Sequence, residues 1–524
     1  MYIEPNTTIR ILRNCPLDNT FEHTIYFALE PEQEAYFKKL TKYTLSRQTY
    51  QRVNNGVMRV QIKAESLYDC NYLMFQNESF GNKWFYAFIK SVEYVNNITS
   101  EITFELDPMQ TWFFDYDLGQ CFVEREHTAR DDIGGNIVEE KLDCGEYFTK
   151  SSTADVWGDD LSIIILASFN SNYDDQSLSM YNRAFSGLYI TTFPNTVSGA
   201  KSARDFINGA AEKTKLDGIV GVGLMPTKLV SVGNGLDTGG GIAIETFTVN
   251  KQYLNVRSDG KPPKNKKLYI YPYNYFEISN NMNDSKIYKY EFFTENKCDF
   301  TVYGETTLNP NIIAVPDSTY KGKGPDFNNA VTMNNFPLLP WSGDAYKAWL
   351  AQTSSSNTVA GLSALATAIV GGLSAAATGG VAGAVMAGST LSSVASKAGQ
   401  LISKNRVASE LPNVPHNGQG CYIFSGLGIS DFLISRKYLS PEYVTIIDDY
   451  FTAFGYACHE LKVPNRNVRP HWTYTKTVNC VLTGSLPCDD ANKICSIYNN
   501  GITFWRNGNE VGNYNLDNSP EVKE

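Results

Sequence analysis

Apolar residues recur at every second position through much of the first 120 residues. Met58, Val60 and Ile62 alternate with Arg59, Gln61 and Lys63, the pattern of a half-buried strand. Val92 and Tyr94 run into Asn96-Asn97. Beyond them Ile102, Phe104 and Leu106 alternate with Thr103, Glu105 and Asp107, which predicts a hairpin with an Asn-rich turn. One helix interrupts, over 31–40. Pro and Glu stand in its first turn and Lys38-Lys39 in its last, charges that complement the helix dipole.

Between about 150 and 345 the pattern is β-rich and loop-rich. Ile163-Ile164-Ile165-Leu166 predicts a strand buried on both faces. Tyr269, Tyr271, Tyr273 and Tyr275 recur at period two, which predicts a tyrosine ladder on one face of an extended segment. Gly260-Lys-Pro-Pro-Lys-Asn-Lys-Lys267 reads as a solvated loop, with a phosphate or polyanion contact as the less favoured alternative. Further on, Ser440-Pro441-Glu442 opens a helix whose apolar face runs through Tyr443, Ile446, Ile447, Tyr450 and Phe454 and stops at Gly455. Strand patterns return around 478–482 and Ile502–Trp505.

The segment from Ala348 to Ser396 breaks this pattern, with no charged residue in it. Its centre, 359–388, mixes Val, Leu, Ile and Met with Gly, Ala and Ser. Glycine is too frequent there for a helix resting on propensity alone, at about 1 kcal/mol each relative to Ala. Small residues recur at four-residue spacing (Gly379, Gly383, Ala387; Gly380, Ala384, Gly388), which lets helices approach closely in lipid. A flexible linker or buried loop is one reading and an ordinary membrane span another. Linkers usually carry more charge and Pro, and no basic cluster flanks one side as a permanent span would require. Composition favours a conditionally membrane-active loop, stored away from water and released later.

With 524 residues, about two to four domains are expected. The 42% hydrophobic and 13% aromatic content, with 32 Tyr and 28 Phe, excludes a mostly disordered chain and points to strands and turns. Net charge is −10 and no long Lys/Arg run occurs, which argues against a sequence-specific DNA binder. It does not argue against a conduit that repels what slides through it. Ten cysteines include no C-x-x-C pair, so zinc spacing is absent, and they read as scattered buried thiols rather than a disulfide framework. The first residues carry neither a basic nor an apolar signal region, so no signal peptide is expected.

Catalytic motifs are incomplete. His459-Glu460 begins an H-E-x-x-H, but Val463 stands at the final His position. Gly233-Asn-Gly235-Leu-Asp-Thr-Gly239 is one residue too long for a dinucleotide fingerprint and leads into a strand pattern. Asp115 with Glu124, or Glu139 with Glu140, could be nominated as a glycosidase pair, yet nothing separates them from solvated acids. His127 reads as a structural or interface residue. No catalytic residue, cofactor or metal is called for, and the chain reads as a non-enzyme.

Four passages resemble the tail knob, or distal tail tube, family of phi-29-like short-tailed bacteriophages. They are the string 71–88 (Asn-Tyr-Leu-Met-Phe-Gln-Asn-Glu-Ser-Phe-Gly-Asn-Lys-Trp-Phe-Tyr-Ala-Phe), Leu106-Asp-Pro-Met-Gln-Thr-Trp-Phe113, Phe122-Val-Glu-Arg-Glu-His127, and Tyr498-Asn-Asn-Gly-Ile-Thr-Phe-Trp505 with Gly512-Asn-Tyr514. The Gly/Ala/Ser-rich segment 359–399 sits where that family carries a long hydrophobic loop. The similarity covers 1–130 and roughly 335–524; over 150–330 only the general character matches.

The resemblance implies a mainly β protein with some α. β-barrel-like tube domains would assemble into a homohexameric ring, with the hydrophobic loop as an insertion. The expected division is 1–150 an N-terminal tube-forming β domain, 151–345 a second β-rich domain, 346–410 the membrane-active loop, and 411–524 an α/β segment rejoining the tube. The implied function is the distal tail tube of the virion, with loops that plug it and then enter the host cytoplasmic membrane so that phage DNA can pass without sequence-specific binding. Other tail proteins (a collar or proximal tail, or a tip enzyme) would be its partners. Within the loop, Val359, Leu362, Leu365, Ile369, Val370, Leu373, Val381, Val385 and Met386 are the expected lipid-facing set. Gly371, Gly372, Gly379 and Gly380 are the expected hinges. Trp84 and Trp112 are expected to be core or subunit contacts. The rival reading is a receptor-binding or wall-degrading tail-tip protein.

Overall fold

The computed structural model describes residues 6–48, 55–154, 156–157, 160–167, 169–174, 189–215, 218–230, 236–238, 242–280, 284–305, 311–322, 325–334 and 432–520. The loop 346–410, with all nine expected lipid-facing residues and the four hinge glycines, lies outside them. The chain divides into two compact units. The first takes Met1–Tyr147, Leu254–Tyr273 and Leu439–Glu524, the second Phe148–Tyr253 and Asn274–Tyr438. Five α-helices lie among the described residues: α1 (Glu30–Lys39), α2 (Pro108–Thr111), α3 (Val197–Glu212), α4 (Pro441–Phe454) and α5 (Cys488–Asn500). The architecture is mainly β with some α.

The first unit contains a six-stranded antiparallel sheet, ordered Thr41–Gln48, Thr7–Arg13, Cys70–Gln76, Phe85–Asn96, Thr99–Leu106, Asn55–Val60. Period-two alternation sends Ile9, Ile11, Leu73, Phe75, Ile102 and Phe104 to one face, where they pack with Trp112 and with Ile494 and Tyr498 of α5. On the opposite face Leu12, Tyr72, Met74, Tyr86 and Phe88 close over Phe37 of α1. Phe37 and Tyr72 stack with centroids 5.3 Å apart. Trp84 and Trp112 are buried, their Nε1 groups donating to Glu34 and Asp490.

A second sheet in this unit runs His23–Ile25, Ile502–Trp505, Trp472–Val478, Cys121–Glu126, Tyr456–Lys462, with only the first pair parallel. α4 begins as its sequence predicts: the Ser440 side chain accepts from Tyr443 N, Pro441 stands at the start, and Gly455 ends the helix. Its buried face differs from the expected one: Val444, Ile447 and Phe451 join Leu268, Tyr273 and Tyr456, whereas Ile446 and Phe454 are exposed.

The second unit holds three four-stranded sheets. Their strand orders are Tyr147–Ala154, Phe432–Leu439, Asn274–Ser279, Ser285–Tyr288; Ile219–Pro226, Leu161–Ala167, Tyr189–Pro194, Leu236–Thr238; and Ile242–Asn250, Lys297–Glu305, Asn311–Pro316, Val331–Asn334. As its run of isoleucines predicts, the strand Leu161–Ala167 is buried on both faces. Ile164 enters one apolar cluster, and Ile163 and Ile165 enter another with α3.

Three sequence expectations are corrected. α3 arises in a region read as strands and loops, although its buried face of Ala200, Ala203, Phe206, Ile207 and Ala210 recurs at helical spacing. The 478–482 strand is broken: one strand ends at Val478, Asn479 takes φ 55°, and another starts at Leu482. The tyrosine ladder does not form, since Tyr269 ends a 3₁₀ turn at Lys266–Tyr269 whereas Tyr275 lies in the strand Asn274–Ser279. The nine described cysteines are all free.

Candidate subunit interface and the buried polar centre

Two adjacent strand pairs place apolar side chains side by side on the solvent face of the second sheet in the first unit. Leu461 pairs in register with Phe122, and Phe122 with Val478. All three are exposed, Leu461 by 76% and Phe122 by 37%. The His459 ring stacks on Phe122 at 6.0 Å, and the exposed Val463 and Val481 follow on the same chain segments. Scattered exposed apolar residues are ordinary, but these three are neighbours across three strands, which makes the row the candidate interaction surface. A second apolar group forms where the hairpin Phe85–Asn96/Thr99–Leu106 outruns its core: Tyr94, Val95 and Ile98 are exposed there.

The same unit also buries polar and charged groups together. Glu140 accepts from Lys267 Nζ at 2.5 Å and from Ala457 N at 3.1 Å, and pairs closely with Arg125. Arg125 also donates to the Gly455 carbonyl at 2.6 Å and lies over the Tyr450 ring. Burial lowers the Lys267 pKa, with Glu140 opposing. Asp448, buried in α4, pairs with Arg257 and accepts from Lys264 N at 3.0 Å and Asn265 N at 2.9 Å. Asp131 accepts from the Tyr456 hydroxyl at 2.7 Å and Lys266 N at 3.0 Å. The 260–267 run is solvated at 260–262 and at the Lys264 and Lys266 side chains, as expected, but its backbone at 264–266 is held by two carboxylates and Lys267 is sealed in an ion pair.

His127 is structural. Its Nε2 donates to the Thr452 carbonyl at 3.1 Å and its Nδ1 accepts from Tyr474 N at 2.8 Å, a pattern only neutral imidazole satisfies. Burial, with Arg469 nearby, lowers its pKa to about 3. The nominated acids are paired as well: Asp115 with Lys83, Glu124 with Lys476 at 2.9 Å, and Glu140 as above. Among the described residues no group of His, Cys, Asp or Glu could hold a metal, and no helix is long and apolar enough to cross a membrane.

The expected loop residues cannot be brought to this surface, because they lie outside the described residues. The interface row was missed in the sequence. Its signal was weak: Phe122 and Leu461 each sit in an alternating strand whose outward face is otherwise polar.

Comparison with known proteins now adds to this geometry. Residues 237–519 match the family model for the C-terminal domain of Bacillus phage phi29 tail knob protein gp9, and residues 5–117 match the model for the N-terminus of caudoviral major tail proteins. The tail knob protein gp9 of Bacillus phage PZA is 26% identical over 98% of both chains, and that of Bacillus phage phi29 is 25% identical over 98% of both. The tail knob protein gp12 of bacteriophage C1 shares the fold, with TM-score 0.57 and 13% identity over 97% of this chain and 98% of that one. The gp9 model spans more than half of the 524 residues, and the chain belongs to the phi29 tail knob family of structural phage tail proteins.

Proposed function

We propose that this tail knob protein assembles as a homohexameric distal tube through which phage DNA leaves the virion, and that its hydrophobic loops first plug the tube and then enter the host cytoplasmic membrane. The observation that carries this reading is the charge-free stretch 348–396 in a chain of the tail knob family. Val359, Leu362, Leu365, Ile369, Val370, Leu373, Val381, Val385 and Met386 would face lipid, with Gly371, Gly372, Gly379 and Gly380 as hinges. Backbone groups must be satisfied inside a bilayer, so released segments would become helical. One modestly apolar loop inserts weakly; six on one ring act together through effective concentration.

The two exposed apolar groups on the first unit support a ring. Two different patches on one subunit suit a head-to-tail contact, which closes when its rotation closes. Neighbouring tail proteins would occupy the ends of the tube.

Dye release from liposomes by the intact protein, compared with a 352–399 deletion, tests the loop. Leakage confined to the intact protein supports it, and equal leakage from both overturns it. Negative-stain images of sixfold rings with a central channel support the tube, whereas monomers without a channel return the chain to the receptor-binding or wall-degrading reading.

A further inference from the structure

Three cysteines far apart in the sequence come together in the first unit. Cys121 opens the strand Cys121–Glu126, Cys480 lies in the break between the strands Trp472–Val478 and Leu482–Gly484, and Cys495 is carried by α5. α5 turns Ile494, Ile497 and Tyr498 into the core beneath the six-stranded sheet. Cys495 and Asn499 are four residues apart, so they stand one above the other on the adjoining, half-buried face.

Asn499 fixes the strand break over that face. Its Oδ1 accepts from Cys480 N at 3.1 Å and from the Thr477 hydroxyl at 2.9 Å. Anchored in this way, the Cys480 thiol comes within hydrogen-bonding reach of the Cys495 sulfur, one helical turn from Asn499.

The three sulfurs differ in their surroundings. Cys121 is 3% exposed, and its sulfur accepts from the Val481 N–H. Cys480 and Cys495 are half-buried. Burial pushes both of their thiols above the usual range, but at Cys495 the Cys480 S–H opposes the rise by donating to the sulfur. Cys495 is therefore the member of the pair that ionises first, and the thiolate is the reactive form. A phage tail protein leaves the cell in the virion, where thiols are no longer kept reduced.

We infer that Cys480 and Cys495 are an oxidation site, closing to a reversible disulfide when the protein meets a peroxide. The Cys495 thiolate attacks one oxygen of hydrogen peroxide; the O–O bond breaks, leaving a sulfenic acid on Cys495 and hydroxide, which takes up the proton that Cys495 released. The Cys480 sulfur then attacks the Cys495 sulfur. An S–S bond forms, the S–O bond breaks, and the leaving hydroxide takes the Cys480 proton. Two thiols have lost two electrons and two protons, and the peroxide has become two waters. The new bond staples the strand break onto α5 and closes a short loop, which constrains the unfolded chain.

The test uses the full-length protein, first reduced, then exposed to a modest excess of hydrogen peroxide, quenched, alkylated in denaturant and mapped by mass spectrometry without reductant. The expected result is a peptide joining Cys480 to Cys495, with two of the ten thiols protected from alkylation and recovered by dithiothreitol. The oxidised protein should melt several degrees above the reduced one. Cys495→Ser should lose both the link and the rise. Should that variant fail to fold, the peptide map of the native protein decides alone. Absence of the link overturns the proposal, as does a link made through Cys121 instead, or sulfinic acid at Cys495 beside a free Cys480. A link that leaves the melting temperature unchanged overturns the staple.

Discussion

Lys267 Nζ lies 2.5 Å from Glu140 Oε1, and neither side chain reaches solvent. Glu140 is at the same time the partner of Arg125, so one buried carboxylate neutralises two cations. Removing the carboxylate leaves both cations uncompensated, whereas removing Lys267 leaves a matched pair. Glu140→Gln is therefore expected to cost about 3–5 kcal/mol, the range for breaking a buried pair from one side. Lys267→Met should cost clearly less. Midpoints of guanidinium unfolding for the two variants check the order, and equal losses would contradict it.

Acid should destabilise the fold through His127. Its pKa is near 6.5 when unfolded and about 3 when folded, so between those values the unfolded chain binds more protons. Stability from this group is complete above pH 6.5 and falls by about 1.4 kcal/mol per pH unit as pH drops toward 3. Asp107, which burial raises to about 6, works in the opposite sense: its contribution is present below pH 3.8 and lost as pH rises to 6. The two slopes oppose each other between pH 3.8 and 6. Replacing His127 with Gln should remove its slope, so that the stability gap between native protein and variant narrows as pH falls. A gap that does not change with pH would contradict this.

Gly455 ends α4 at φ 66°, ψ −153°, a region essentially reserved for glycine. A Cβ there would lie 2.2 Å from the Glu126 carbonyl oxygen. Gly455→Ala should lose about 1–3 kcal/mol to backbone strain alone, with the backbone clash adding more. The melting temperature of the variant measures this, and an unchanged value would refute the close approach.

Leu461→Glu should leave stability within about 0.5 kcal/mol, because its side chain is exposed in the single chain. If Leu461, Phe122 and Val478 form a contact between copies, the same change should block association, because an interface core excludes unpaired charge. Light scattering of native protein and variant distinguishes the outcomes. Unaltered assembly would remove this row from the interface.

Local patterns were legible wherever short-range rules decide structure. The N-cap, proline and glycine stop of α4, the hairpin at 85–106 and the isoleucine strand at 163–166 each declare themselves over a few residues. α3 was passed over although its buried face recurs at helical spacing, and the carboxylate contacts of the 260–267 run were not legible, because their partners lie 127 or more residues away.

The sequence alone determined the β-rich class, the family resemblance, and the charge-free stretch 348–396, because composition and motif strings are properties of the chain. Only the tertiary structure decided that Lys267 is buried, that His127 is neutral, and that Phe122, Leu461 and Val478 share one exposed row. Those facts depend on which distant segments pack together and on the water they exclude, and no local spacing encodes either.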